Sequence, residues 1–272
     1  MPRSWIVAAL IWIVIAASPG PARAETEVDL ALVIAVDISF SMDPEEQVLQ
    51  REGFIQAFRS PVVHDAIRRG MVGRIGVTYV EWAGSGDQRV VLPWMILDGP
   101  ESAVGFASEL ATKPTRRAAR TSISGVVDFA SRLLAESDLV TTRKVIDVSG
   151  DGPNNQGRSI LAAREEAVAA GLTINGLPIM LKEPGYFDIA ELDLYYRDCV
   201  IGGPGAFLVP VRNREQFVEA VKTKIIMEIA ALPVPGRAAE AEGGGEVVLP
   251  AQAERRQNCF AGEAQWRDRM GN

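Results

Sequence analysis

Apolar runs alternate with amphipathic segments from residue 28 to about residue 232. Val28–Val36 is an almost unbroken apolar run, which is typical of a strand buried on both faces. Asp43–Glu46 then supplies an N-cap residue, a proline and two acids, and this order predicts a helix that runs to about Phe58. The same strand, loop and helix order recurs until Arg214–Ala231, a helix with one apolar stripe.

The same patterns predict the remaining elements. Further strands are predicted at Arg74–Glu81, Arg89–Trp94, Lys144–Val148, Thr173–Pro178 and Ala206–Val211. Further helices are predicted at Glu101–Ala111, Ser122–Ala135, Gly157–Ala170 and Ile189–Arg197. Because strands alternate with helices, we expect an α/β fold with a doubly wound, mostly parallel central sheet and helices on both faces. The short segment near Val90 is the expected antiparallel edge strand.

The first 24 residues have the pattern of a signal peptide. Arg3 supplies a positive charge, Trp5–Ala17 is an uncharged apolar run of 13 residues, and Ala22–Ala24 matches a small-x-small cleavage site. A membrane anchor is the alternative, but the run is shorter than the roughly 20 residues that span a bilayer. We therefore predict a cleaved signal peptide over residues 1–24, a mature chain beginning at Glu25, and a periplasmic or secreted protein without a transmembrane segment.

A second change of composition occurs near residue 232. Pro233–Gly236 and Gly243–Gly245 stand among Ala and Glu residues with no core-forming period, as in a linker. We therefore divide the mature chain into a globular domain over residues 25–232 and a linker with a C-terminal tail over residues 233–272. The end of the tail, Cys259–Trp266, either docks back onto the domain or binds a partner.

The chain has two cysteines, Cys199 and Cys259, which stand 60 residues apart. In an oxidising compartment they can form an intramolecular disulfide, which is the pairing that we favour. Two free thiols, or a bridge between chains, are the alternatives, because spacing alone does not fix connectivity.

Composition limits the chemistry that the chain can carry. Hydrophobic residues make up 47% of it and charged residues 23%, which suits a globular domain. The net charge of −7 makes nucleic acid an unfavourable partner, because phosphate binding needs clustered Lys and Arg. With one histidine and two cysteines, the chain lacks the ligands of a typical zinc or iron–sulfur site. Oxygen atoms must therefore supply most ligands of any bound metal.

Polar residues follow the predicted strands at positions suited to such a site. Asp37, Ser39 and Ser41 follow the first strand with a period of two, Asp151 follows the strand at Lys144–Val148, and Thr121 precedes a helix. Ligands of α/β sheets bind at the carboxyl ends of the strands, where these residues are expected to meet. Carboxylate and hydroxyl oxygens suit Mg²⁺, Mn²⁺ or Ca²⁺. Each residue alone also fits an ordinary role, as a helix cap or a turn residue.

In their order and spacing, Asp37-x-Ser39-x-Ser41, Thr121 and Asp151 resemble the three-part metal-ion-dependent adhesion site of von Willebrand factor type A domains. The resemblance covers about residues 28–232. The chain also resembles bacterial exported proteins of unknown function that carry such a domain, most clearly over Tyr195–Gly205.

The resemblance implies a role for each residue. Ser39 and Ser41 are expected to bind the cation through their hydroxyls, and Thr121 directly or through water. Asp37 and Asp151 are expected to act mainly through bound water and hydrogen bonds, although either can coordinate directly. The cation then keeps a free position for an acidic side chain of a partner protein, and binding can be coupled to a movement of the C-terminal helix of the domain.

Phe40 and Asp147 lie close in sequence to the predicted metal ligands. Phe40 stands between the two serines, where the family usually has glycine, so its ring either narrows the site or supplies an apolar contact for the ligand. Asp147 lies close to Asp151 but inside the strand pattern, and it lacks the following glycine. We therefore assign the ligand role to Asp151.

Two functions use this cation differently. The favoured one is an exported adhesion-type module in which the cation binds an acidic residue of a partner. The alternative is a metal-dependent hydrolase in which the cation acts as a Lewis acid. A hydrolase needs a general base or nucleophile apart from the metal ligands, and the sequence offers none, since His64 is remote from the motif and no Gly-x-Ser-x-Gly occurs.

Overall fold

The computed structural model describes residues 25–185, 189–230 and 256–270. Its strands are β1 (Thr26–Glu27), β2 (Leu30–Asp37), β3 (Ile75–Trp82), β4 (Gln88–Leu97), β5 (Leu139–Val140), β6 (Lys144–Gly150) and β7 (Thr173–Pro178). Its helices are α1 (Pro44–Arg59), α2 (Pro61–Arg68), α3 (Pro100–Thr112), α4 (Ile123–Ala135), α5 (Ile160–Ala169), α6 (Leu192–Tyr195), a π-helical turn (Tyr196–Val200), α7 (Phe217–Ala230) and α8 (Ala261–Met270). The predicted signal peptide and most of the predicted linker lie outside the described residues.

Five strands form one sheet in the order β4-β3-β2-β6-β7. All neighbours in it are parallel except β3 and β4, which pair antiparallel at the edge. The predicted doubly wound, mostly parallel sheet with one antiparallel edge strand is therefore confirmed. The edge strand is longer than expected, because it extends past Trp94 to Leu97. A small second sheet, in which β1 pairs with β5, was not predicted.

The central strand β2 is buried along its whole length, which explains its unbroken apolar sequence. Successive side chains point to opposite faces of the sheet. Leu30, Leu32 and Ile34 pack with α1, α2, α3 and α7 on one face. Ala31 and Val33 pack with α4, α5 and the π-helical turn on the other.

Helix α1 begins where the sequence predicts it. The Glu46 amide donates to Asp43 Oδ1 at 2.8 Å, and the Asp43 amide donates to Glu46 Oε2 at 2.9 Å. This reciprocal capping box satisfies two backbone donors that the first helical turn leaves free, and caps of this kind contribute about 1 kcal/mol. Over the described parts of the chain, no helix is both long enough and apolar enough to cross a membrane.

The predicted strand at Ala206–Val211 is wrong as a regular strand. Leu208 and Val211 make only isolated parallel bridges to Gly176 and Ile179, beside β7. Two local features interrupt the ladder. Pro178 on β7 has no amide hydrogen to donate between the bonds from Gly176 to Phe207 and from Met180 to Val211, and the Phe207 amide donates to the Asn175 side chain at 2.9 Å instead of to a strand.

The predicted helix at Ile189–Arg197 is shorter and less regular than expected. Helix α6 covers only Leu192–Tyr195, and the chain continues as the π-helical turn through Val200. The irregular turn brings Tyr196 and Cys199 into the core between α5 and β7, and Tyr195 at the end of α6 is buried in the same cluster. Wide turns of this kind are uncommon and often mark functional sites.

Cys199 in this turn forms a disulfide with Cys259, which confirms the predicted intramolecular bridge. The bridge anchors α8, a helix that the sequence patterns did not predict. Asn154 Nδ2 donates to Glu263 Oε1 at 2.7 Å, and the Arg120 guanidinium lies 3.4 Å from the centre of the Trp266 ring. At Gly262 a Cβ atom would lie 2.2 Å from the Asn154 carbonyl oxygen, so only glycine permits this close approach.

A cluster of buried charges joins α7 to the sheet. Lys224 Nζ lies 2.7 Å from Asp147 Oδ1 on β6 and donates to Glu228 Oε1 at 2.7 Å. Asn175 Nδ2 on β7 donates to Glu228 Oε2 at 2.7 Å. Burial raises the pKa of Asp147 to about 6, and the adjacent ammonium of Lys224 opposes a larger rise. Asp147 therefore has a structural partner in the core, away from the loop that carries Asp151.

Replacing Lys224 with methionine should destabilise the protein. Asp147 and Glu228 would remain buried without a counter-ion, and breaking a buried ion pair in this way costs about 3–5 kcal/mol. Urea denaturation measures the loss. Lys222→Met is the control on the same helix, because Lys222 pairs with the exposed Glu219 and its loss should change stability by less than about 0.5 kcal/mol. Equal losses in the two variants would contradict the proposed importance of the cluster.

Removing the disulfide should destabilise the protein, because the unfolded chain gains conformational entropy when the cross-link is lost. A loop closed over 60 residues corresponds to roughly 4 kcal/mol in the chain-entropy account. We expect the double variant Cys199→Ala/Cys259→Ala to unfold at lower urea than the wild type, and the wild type with reductant to match the variant. Identical unfolding curves with and without reductant would contradict this expectation.

Candidate metal centre

The two acidic residues of the predicted site lie at the ends of neighbouring strands. Asp37 is the last residue of β2, and Asp151 directly follows β6. These strands pair in parallel, with Val36 opposite Ser149, so both carboxylates lie at the same edge of the sheet. The strand order reverses between β2 and β6, and this is the position at which α/β sheets bind ligands.

A chain of hydrogen bonds joins four of the five predicted residues. The Ser39 amide donates to Asp37 Oδ1 at 2.7 Å, and the hydroxyl oxygens of Ser39 and Ser41 lie 2.7 Å apart. The Ser41 hydroxyl donates to Asp151 Oδ1 at 2.6 Å. The structure thus brings together two carboxylates and two hydroxyls from loops that are 110 residues apart in sequence.

Thr121 is held at the same edge by backbone contacts. The Ala118 amide donates to the Ile38 carbonyl at 2.9 Å, which fixes the loop before α4 against the loop after β2. The Thr121 amide donates to Asn155 Oδ1 at 2.9 Å, and the Asn155 amide donates to the Thr121 carbonyl at 2.8 Å. These hydrogen bonds connect the loop of Thr121 both to the serine loop and to the loop that carries Asp151. Thr121 itself is buried.

Asp37 is an unfavourable place for a negative charge in the protein alone. Its side chain is fully buried, and burial together with the charge of Asp151 raises the pKa of Asp37 well above its usual value. Asp37 Oδ2 finds no hydrogen-bond partner among the described residues. The Tyr196 hydroxyl also finds no hydrogen-bond partner among the described residues. Burial raises the pKa of Tyr196, and the charges of Asp37 and Asp151 add to this rise.

Gly150 leaves room for these polar atoms. A Cβ atom at this position would lie 2.8 Å from Asp37 Oδ2 and 3.1 Å from the Tyr196 hydroxyl. Any larger residue would therefore push against the Asp37 carboxylate. The cradle between β2, β6 and the π-helical turn depends on the absence of a side chain here.

Phe40 does not narrow the site. Its side chain is 60% exposed, and its ring lies 5.3 Å from the guanidinium carbon of Arg117. Arg117 Nη2 also donates to the carbonyl groups of Phe40 at 2.9 Å and Met42 at 2.8 Å. Arg117 thus fixes the serine loop, and the aromatic ring of Phe40 is exposed.

Lys182 is a residue at this edge that the sequence patterns did not identify. Its Nζ forms an ion pair with Glu46, donates to the Ser41 carbonyl, and lies 3.7 Å from Asp151 Oδ2. These acidic neighbours raise the pKa of Lys182 although partial burial opposes the rise. The rule that ligands gather after strands applies here too, because Lys182 lies four residues beyond the end of β7.

The donor set suits a hard divalent cation. The described residues contain no cluster of three or more His, Cys, Asp or Glu side chains, so a site built only of such groups is not present there. The edge at Asp37 instead offers hydroxyls and two carboxylates, and one buried carboxylate oxygen is without a partner. Mg²⁺, Mn²⁺ and Ca²⁺ accept such oxygen ligands. The only histidine, His64, is buried on α2 with Nε2 2.8 Å from the Phe58 carbonyl oxygen.

Solved structures with this architecture include three proteins from different sources. A von Willebrand factor type A protein from Catenulispora acidiphila has 14% identity and a TM-score of 0.51, and the match covers 74% of this chain and 43% of that one. The pilus adhesin SpaC from Lactobacillus rhamnosus GG has 12% identity and a TM-score of 0.57 over 76% of this chain and 31% of the adhesin. Proximal thread matrix protein 1 from the mussel byssus has 14% identity and a TM-score of 0.52 over 76% of this chain and 50% of that protein.

These likenesses define the fold as that of a von Willebrand factor type A domain. At such low identity they show the fold alone, and the chain spans from about a third to a half of the length of these structures. The model of the family described as "Protein of unknown function (DUF1194)" matches residues 27–233, and the chain belongs to this family. Among curated proteins, none matches the sequence.

Replacing Gly150 with alanine should disturb the Asp37 carboxylate. The added methyl group would meet Asp37 Oδ2 at 2.8 Å, a contact that real Cβ atoms essentially never make. We expect Gly150→Ala to abolish any increase in melting temperature on adding Mg²⁺. Gly152→Ala is the matched control, since a Cβ atom there would meet nothing within 4 Å. A full response to Mg²⁺ in Gly150→Ala would show that the cradle is not part of a metal site.

Proposed function

We propose that this protein is an exported adhesion-type module that binds a partner through a divalent cation. The hydroxyls of Ser39, Ser41 and Thr121 hold the cation, and Asp37 and Asp151 act on it mainly through bound water and hydrogen bonds, although either can coordinate directly. The cation, Mg²⁺ or else Mn²⁺ or Ca²⁺, supplies an electrophilic position that accepts a carboxylate of the partner protein.

The observation that carries the proposal is the unpartnered oxygen of Asp37. A buried carboxylate beside a second carboxylate is unfavourable, because burial and like charge both oppose ionisation. A cation at this edge reverses both effects for Asp37 and Asp151. The hydrogen-bonded hydroxyls of Ser39 and Ser41 already lie next to the two acids, at the edge where a cation would need them.

The mixture of ligands favours binding of an anion. Hydroxyls carry no charge, so a cation held largely by Ser39, Ser41 and Thr121 keeps much of its positive charge. Such a cation attracts a carboxylate more strongly than one surrounded by acids. The exposed ring of Phe40 adds an apolar contact at the rim, which suits a protein partner.

The periplasmic or secreted location forms part of the same proposal. The apolar run and cleavage signature within residues 1–24 support export, and they lie outside the described residues. The disulfide between Cys199 and Cys259 supports an oxidising compartment.

Thermal unfolding of the chain from Glu25 onward tests the metal site. Bound cation stabilises the native state by mass action, by about 2.7 kcal/mol at a concentration 100 times Kd. We expect Mg²⁺ to raise the melting temperature of the wild type and of Asp65→Ala, which removes an exposed carboxylate on α2. Asp151→Ala should show no such rise. The same melting temperature in Mg²⁺ and in chelator for the wild type would refute the proposed site.

Binding of a partner is tested by affinity capture from the envelope of the exporting cell. We expect a protein that the wild type retains in Mg²⁺, that chelator releases, and that Asp151→Ala does not retain. Retention of the same proteins by both forms, with or without Mg²⁺, would argue against a cation-dependent contact.

A further inference from the structure

A side pocket of about 430 Å³ opens next to the proposed cation site. Its volume is within the range of about 300–1,000 Å³ that is usual for ligand sites. Its walls come from the loop after β7, the segment before and into α6, Arg212, and the loops that carry the site.

The side pocket and the cation site share a wall. Ser41 and Asp151 line the pocket, and they are also hydrogen-bonded to each other within the proposed site at 2.6 Å. A ligand group bound at the cation therefore stands at the mouth of the pocket.

The side pocket combines apolar and charged side chains. The half-buried aliphatic side chains of Met180, Leu181 and Ile189 form part of its wall. Arg212 extends along this wall, with Nη1 3.5 Å from the Met180 sulfur and Nη2 bonded to Asp193 at 2.6 Å. Apolar surface of this kind favours an aliphatic group over a second carboxylate.

A divalent cation would make the local charge less negative by two. Two cationic side chains, Lys182 and Arg212, and three carboxylates, Glu46, Glu183 and Asp151, line the side pocket. The lining side chains sum to −1, Asp193 on Arg212 and Asp37 in the cation site add two further carboxylates, and a bound divalent cation offsets two of these negative charges. Lys182 cannot turn away freely, since it is paired with Glu46 and bonded to the Ser41 carbonyl. An acidic segment is thus held more strongly with the cation bound than without it.

We propose that the side pocket is a second recognition subsite, which takes an aliphatic side chain of the partner. The inference rests on the proposed function: the partner presents an extended segment in which an acidic residue reaches the cation and an aliphatic residue, one or two positions away, enters the pocket. The cation requires an acidic residue in the partner segment, and the side pocket selects among acidic segments by the neighbouring residue. Burying a leucine side chain is worth about tenfold or more in affinity.

Selection from a displayed library of random linear peptides tests this subsite. The full mature protein is the bait, in Mg²⁺ and in parallel with chelator. We expect the peptides enriched only in Mg²⁺ to carry Asp or Glu with Leu, Ile, Val or Met within two positions. Enrichment of acidic peptides with no preference for such a neighbour overturns the subsite and leaves the proposed function standing. No Mg²⁺-dependent enrichment of acidic peptides overturns both.

A variant that fills the side pocket separates the subsite from the cation site. Ala190 lines the pocket but is exposed, so Ala190→Trp adds a large side chain without disturbing the core. We expect this variant to bind the selected peptides about tenfold or more weakly while its melting temperature still rises fully in Mg²⁺. Met71→Trp places the same side chain at a fully exposed position and should bind like the wild type. Unchanged peptide affinity in Ala190→Trp would overturn the subsite.

Discussion

The structure depends on the placing of two carboxylates at the carboxyl ends of adjacent parallel strands. Parallel pairing of β2 with β6 leaves Asp37 buried beside the loop of Asp151, where each charge opposes the other. The contacts nearby hold this arrangement in place. Arg117 fixes the serine loop through two carbonyl groups, and Asn155 ties Thr121 to the same edge. A set of loops ordered around an unfavourable charge pair is what a cation site requires before the cation arrives.

A second buried aspartate, Asp147, carries its charge under different conditions. Asp147 is as deeply buried as Asp37 and belongs to the same strand pair, yet it has Lys224 as an internal counter-ion. Among the described residues no lysine or arginine contacts Asp37. The fold therefore pairs one buried aspartate with a lysine of its own and leaves the other, at the carboxyl edge of the sheet, without a cationic side chain in contact among the described residues. The Lys224 cluster also means that any displacement of α7 along the sheet must break a buried ion pair.

Much of this organisation could be predicted from the sequence, because its signals are local. The unbroken apolar run of β2 indicated burial on both faces, and the Asp43 cap marked the start of α1 to the residue. Residues after strand ends identified the candidate site, since parallel topology brings them together. The patterns failed where distant contacts decide the structure. The Asn175 side chain diverts the Phe207 amide that a regular strand would have used.

Helix α8 could not be predicted from local sequence patterns either. α8 has no apolar stripe of its own, and it is held by Trp266 under Arg120, by Glu263 on Asn154, and by the disulfide. None of these contacts leaves a periodic signal in the sequence. Lys182 was missed for a related reason: a single lysine in a loop is unremarkable until the fold places it beside Asp151.

The disulfide gives the chain a covalent connectivity that differs from its sequence order. Cys199 and Cys259 lie on opposite sides of residues 231–255, so the segment between them is part of a closed ring. A single proteolytic cut within residues 231–255 would open the ring without releasing α8, because the two fragments stay joined through sulfur. The helix that contacts the loop of Asn154 would then remain attached even after the polypeptide has been severed. The nicked protein should thus remain one covalent molecule until a reductant separates its two fragments.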